Sequence, residues 1–116
     1  MEKRLLGISG LEIPVIGMGT WRTFDVSGAQ AEANAHTIVD RALAAGATFF
    51  DSSPMYGKAE HVLGHALQGR RASALVISKV WAWSEREARE QIERALRFFG
   101  GTLDLYQIYN LVVCEK

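Results

Sequence analysis

The sequence predicts an α/β fold in which helices cover a parallel sheet, and three observations lead there. Four short apolar runs, over 15–19, 48–52, 75–80 and 105–109, recur at near-regular spacing. Amphipathic helical patterns fill the intervals between them. The runs are continuously apolar instead of alternating, as strands buried on both faces are.

The elements follow in order. Segments 4–6 and 12–13 flank Gly7 to Gly10, which suits a small antiparallel hairpin capping the first 14 residues. A first helix over 30–45 places Ala31, Ala35, Val39 and Ala42 on one stripe and stops at Gly46. A second over 59–68 buries Val62, Leu63, Ala66 and Leu67 and ends at Gly69. Within it Gly64 permits close helix packing, and Glu60 reads as an early-helix charge favoured by the dipole. In the third, Ser84 and Glu87 form a capping box, Ala88, Ile92, Ala95 and Phe99 share the inward face, and Gly100 closes the helix. Its outer face carries Glu85, Arg86, Arg89, Glu93 and Arg97, with Glu93 and Arg97 at pair spacing.

The 116 residues, 48% hydrophobic and 22% charged, suffice for one core but not two domains. Thirteen basic residues balance thirteen acidic ones without a long block of either sign, which argues against a nucleic-acid or acidic-membrane partner. The start MEKRLLGISG lacks the apolar run of a signal peptide, and no apolar stretch approaches the ~20 residues needed to span a bilayer. A cytoplasmic location is the expectation. Cys114 is the single cysteine, so no internal disulfide forms, and it reads as a tail residue, not a nucleophile.

An open doubly wound sheet and a closed eight-fold barrel both fit four strand-helix repeats, so periodicity alone does not choose. The polar residues favour the barrel. Thr20, Asp51, Lys79 and Tyr109 each fall where an apolar strand gives out at its C-terminal end, the edge on which barrel active sites are assembled. A dinucleotide fold would instead want G-x-G-x-x-G after its first strand, and GMGTWR has Arg22 at the third glycine position.

Lys79 ends the apolar strand LVISKV and faces an interior where an unpaired ammonium is costly, so it needs an acidic partner. Asp51 ends the neighbouring strand TFFDS at the same level and fills that need. These two residues alone fit a purely structural pair as well as a chemical one. Tyr56, five residues after Asp51 in SSPMYG, tips the reading toward chemistry. A lysine cation beside it would stabilise the phenolate and lower a pKa that is ordinarily near 10. Such a tyrosine donates a proton to a carbonyl oxygen as hydride reaches carbon. His36, His61 and His65 lie on helices in solvent-facing roles, so no Ser-His-Asp arrangement competes, and no metal cluster is expected.

The run FDSSPMYGKAEHVLGHAL resembles the signature of the aldo-keto reductases. LEIPVIGMGTW, LVISKV, the helix through RALRFFGG and TLDLYQIYN resemble that family's first strand, lysine strand, third helix and fourth strand, in order. The resemblance implies the N-terminal half of a (β/α)8 TIM barrel: a hairpin cap over 1–14, four barrel strands with three helices over 15–111, and a tail over 112–116. It implies Tyr56 as general acid, tuned by Lys79 and Asp51. It also implies Gly19, Thr20, Trp21 and Asp51 close to the nicotinamide and ribose of NADP(H), with Trp21 also walling the pocket. Trp81 and Trp83 fit either a pocket wall or ordinary loop packing. The substrate class implied is a small aldehyde or ketone.

Two departures stand against the family pattern. Tyr109 occupies the fourth-strand position where the family has a carbonyl-binding histidine, and most of the family's cofactor site lies beyond this chain. A parent enzyme that reduces carbonyls, or a truncated or pseudoenzyme form without turnover that self-associates through open strand edges or binds a partner, are the two expectations. The 116-residue chain alone is expected to show no turnover.

Overall fold

The computed structural model describes residues 1–110. Cys114, Leu111 and the 112–116 tail therefore lie outside the described residues. The chain opens with an antiparallel hairpin, β1 (Lys3–Leu5) and β2 (Glu12–Pro14), in which Arg4 faces Ile13. Four parallel strands follow: β3 (Met18–Gly19), β4 (Phe49–Asp51), β5 (Leu75–Val80) and β6 (Leu105–Ile108). They are joined by α1 (Ala29–Ala44), α2 (Ala59–Ala66) and α3 (Glu85–Phe98). Spatial order β3-β4-β5-β6 repeats chain order. A doubly wound sheet reverses direction at a switch point, and no reversal occurs among the described strands.

The first barrel strand departs from its predicted span of 15–19. The Val15 amide donates to the Glu2 carbonyl at 3.0 Å, so hairpin pairing continues past Pro14. Gly17 then passes so near β4 that a Cβ there would lie 2.9 Å from the Phe49 carbonyl oxygen. Only Met18 and Gly19 remain for parallel pairing, and Val15 and Ile16 are exposed.

The core lies between sheet and helices. Phe50 and Val76 are fully buried beneath Val39 of α1, Leu63 and Leu67 of α2, and Phe24 and Phe99. Burying each such side chain stabilises the fold by about 1.5–3 kcal/mol relative to leaving it exposed. The predicted inward residues of α2 are all buried. Gly64 is where α2 meets α3, since a Cβ there would collide with the Phe98 carbonyl.

The third helix begins as expected, with the Glu87 amide donating to the Ser84 hydroxyl at 3.1 Å. Its inward face differs: Ile92 is exposed and Gln91 is buried instead. The Gln91 amide bonds both backbone groups of Trp81, accepting from its N–H at 3.0 Å and donating to its carbonyl at 2.9 Å. A bidentate bond to an otherwise unpaired loop backbone outweighs burying one more aliphatic chain. On the outer face the pairs that close are Glu85–Arg89 and Arg86–Glu90, while Glu93 and Arg97 remain apart.

At the N-terminal end of the strands Arg71 ties β5 to β6. Its guanidinium donates to the carbonyls of Phe99, Ala74 and Thr102 and to Asp104 Oδ2 at 2.8 Å. Asp104 also accepts the Val76 amide at 2.8 Å.

Candidate active site

At the opposite, C-terminal end the sheet register brings the expected residues together. Gly19 pairs with Asp51 and Asp51 with Ile77, so β3 and β4 end together, while β5 runs on and carries Lys79, paired with Gln107, just above Asp51. Lys79 Nζ donates to Asp51 Oδ1 at 2.6 Å and to the Ser52 carbonyl at 2.7 Å. The pair inferred from the two apolar strands is therefore formed. Among the described residues the third ammonium N–H has no protein partner.

Tyr56 stands beside this pair on the loop between β4 and α2. Its amide donates to the Ser53 carbonyl and its own carbonyl accepts from Ala59, which locks the loop onto the first turn of α2. Lys79 Nζ lies 5.3 Å from the Tyr56 ring centroid and 6.0 Å from that of Tyr109. Tyr109, held by its amide to the Val80 carbonyl at 2.9 Å, meets Tyr56 edge-on at 6.3 Å. Trp81 stacks on Tyr109 at 5.1 Å, and Trp21 tilts toward Tyr56 at 6.4 Å. The two phenol rings thus flank the ammonium, with Trp21 and Trp81 packed against them, while Trp83 is exposed.

The protonation of Tyr56 corrects the expectation of an acidified phenol. Burial pushes its pKa up to about 12, and the neighbouring Tyr109 hydroxyl and Asp51 carboxylate add to the rise. The physical reason is desolvation: packing on this face takes away water that would stabilise a phenolate, and the Asp51 carboxylate opposes a second negative charge beside it.

Gly19 and Trp21 border the same face. No atom lies within 4 Å of the position a Cβ on Gly19 would take, so packing within the chain does not demand glycine there. The Trp21 ring is 59% exposed, with the Arg22 guanidinium 4.6 Å from its centroid. Thr20 is fully buried, and its hydroxyl donates to the Asp51 carbonyl at 2.8 Å, which holds β3 against β4. An open glycine edge beside an exposed flat indole and a cation–carboxylate pair fits a planar nicotinamide. His36, His61 and His65 are exposed on their helices, away from this cluster. Among the described residues no group of three or more potential metal ligands occurs, and no helix is long and apolar enough to cross a membrane.

Glu60 lies in the first turn of α2, as expected of an early-helix charge, but it is also 2% exposed and accepts from the Ser78 hydroxyl at 2.7 Å, a buried role the sequence reading did not include. Burial raises its pKa, against the lowering effects of the Ser78 hydrogen bond, Arg94 and Lys79. The signal was present: Glu60 stands three, four and seven positions before Leu63, Gly64 and Leu67, on the buried stripe of α2.

The aldo/keto reductase family model matches residues 15–111. The chain is 35% identical over 81 residues to pyridoxal 4-dehydrogenase of Microbacterium luteolum, covering 68% of this chain and 24% of that protein. It is 33% identical over 116 residues to methylglyoxal reductase YeaE of Escherichia coli, covering 94% and 40%. It thus spans less than half the length of either relative. Among solved structures, the holo form of aldo-keto reductase AKR11C1 from Bacillus halodurans matches with a TM-score of 0.80 at 28% identity, over 93% of this chain and 40% of that one. An aldo-keto reductase from Klebsiella pneumoniae in complex with NADPH matches with a TM-score of 0.70 at 30% identity, over 84% and 35%. The four-stranded arc corresponds to the N-terminal half of such barrels.

Proposed function

Because this chain belongs to the aldo/keto reductase family, we propose that it contributes the proton-donating half of an oxidoreductase site that reduces aldehyde or ketone carbonyls to alcohols. The observation that carries the proposal is the Lys79–Asp51 hydrogen bond at 2.6 Å beside Tyr56 on one strand-end face. NADPH, present in the Klebsiella pneumoniae relative, would supply the hydride when bound.

Gly19, Trp21 and Asp51 border the space where its nicotinamide end would lie, and Thr20, fully buried behind them, holds β3 to β4 instead of touching it. Tyr56 holds the proton. A phenol is protonated at neutral pH at its ordinary pKa and all the more so with the pKa pushed up to about 12, so the proton to be donated is present. As the substrate carbonyl carbon accepts hydride, the oxygen takes the proton from Tyr56, and an alcohol and a phenolate result. Lys79 offsets the phenolate charge across a short distance, and Asp51 holds the ammonium in place. Tyr109 supplies a second hydroxyl toward the same oxygen, in the position the family gives to histidine.

The test grafts this chain onto the second half of the Bacillus halodurans barrel and follows NADPH oxidation with a nitrobenzaldehyde. Tyr56→Phe is expected to lower the rate by about 10²–10⁴-fold. A Tyr56→Phe graft that keeps its rate would remove Tyr56 from the chemistry. The second reading is a non-catalytic member that self-associates. Tyr109 stacked on Trp81, where the family has histidine, and the exposed Ile16 and Ile108 at the two sheet margins favour it. A graft that binds NADPH without turnover, together with self-association in sedimentation, would support that alternative.

A further inference from the structure

The loop bearing Tyr56 and the strand bearing Lys79 come from different parts of the chain, yet the proposed chemistry needs a set distance between them. The Tyr56 carbonyl accepts from Ala59, the first residue of α2, and Glu60 follows directly. Glu60 Oε2 accepts from the Ser78 hydroxyl, and Lys79 follows directly on β5. Among the described residues this is the only hydrogen bond between α2 and β5. Both partners are almost wholly buried, at 2% and 0% exposure. In that setting a hydrogen bond to a carboxylate is worth more than one at the surface, and neither group can turn to water instead.

We propose that Glu60 is a positioning residue: its buried hydrogen bond to Ser78 is the brace that sets Lys79 against Tyr56. The functional meaning of the brace rests on the reductase reading, but its mechanical role does not. Ser78 turns toward the helices, whereas Lys79, its neighbour on the strand, turns to the opposite face, as alternation on a strand requires. A pull on Ser78 from α2 therefore fixes the height and rotation of β5 where Lys79 leaves it. Burial of a carboxylate on the helix side would otherwise be a cost without return, since an apolar residue there would pack as well.

The experiment reads the Lys79 ammonium directly in the 116-residue chain, by exchange of its Nζ protons with water in nitrogen-15 NMR. Exchange of the Val39 amide in α1 serves as the measure of global opening. Ser78→Ala and Glu60→Leu, which remove the brace from either side, are each expected to speed Lys79 exchange by about tenfold or more relative to Val39. Ser78→Thr and Glu60→Gln keep a donor and an acceptor and should leave it near the parent value. The double variant Glu60→Leu with Ser78→Ala separates positioning from stability, because replacing both partners by apolar groups can be nearly neutral for folding. Positioning requires that stability returns in the double variant while Lys79 protection does not. The proposal is overturned if protection returns together with stability, or if the single variants leave Lys79 exchange within about twofold of the parent. No turnover is measured, so failure here leaves the role of Tyr56 standing, and failure of the Tyr56→Phe test leaves the brace standing.

Discussion

Two cation–carboxylate pairs join neighbouring strands of this sheet at opposite ends. Arg71–Asp104 lies at the N-terminal end at 2.8 Å, and Lys79–Asp51 at the C-terminal end at 2.6 Å. The difference is in what surrounds them. Each Arg71 nitrogen bonds the protein, three contacts going to backbone carbonyls, and Asp104 further accepts the Val76 amide. Lys79 bonds Asp51 and a single backbone carbonyl, that of Ser52, and otherwise faces the phenol rings of Tyr56 and Tyr109. A pair bonded mainly to main chain, away from the strand-end face, holds the fold. A pair beside a phenol on that face can respond to a new charge there.

The contrast breaks if the two ends behave alike under substitution. In the grafted barrel Lys79→Met should lower aldehyde reduction by about 10²-fold or more, near the effect of Tyr56→Phe, because both act on one phenolate. Arg71→Ala should cost about 3 kcal/mol in urea denaturation, since it strands the carbonyls of the buried Phe99 and Ala74 and takes the cation from Asp104. For stability, Lys79→Met should cost only about 1 kcal/mol, as Asp51 is 38% exposed and can turn to water. Equal stability losses for the two would erase the distinction. Tyr109→His in the graft should raise the rate by about tenfold if the tyrosine is a weakened substitute for an imidazole. A lower rate would identify Tyr109 as adapted to its substrate.

The smallest expected effect is on pH dependence. The Glu60 carboxyl is raised in the folded state, so folded chains bind more protons than unfolded ones between the two values. The stabilising contribution is fully present below the unfolded value and is lost as pH rises through the folded one. Glu60→Gln should flatten that part of the stability profile, measured as the difference between the two urea midpoints from pH 4 to 8. A parallel pair of profiles would remove Glu60 as its source.

Much of this was legible beforehand for a reason common to its parts. Helix stripes, the Ser84–Glu87 cap and the end-of-strand placement of Asp51 and Lys79 follow from local periodicity, and the two charges had to meet because neither could be buried alone. The short β3 was not legible, since the competing pairing of Val15 with Glu2 is a contact between segments. Gln91 in place of Ile92 depended on the unpaired backbone of Trp81, which no helical wheel contains.

By itself, then, the sequence determined the order and kind of the elements, the partner of Lys79 and the face on which Tyr56 stands. Periodicity acts through near neighbours along the chain, and the cost of burying a lone charge demands an opposite charge even from a strand 28 residues away. Only the tertiary structure decided that the Tyr56 pKa is raised and not lowered and that Glu60 is buried against Ser78. Those outcomes depend on how much water and how many charges remain once strands and helices have closed on one another, and desolvation is a property of the assembled site.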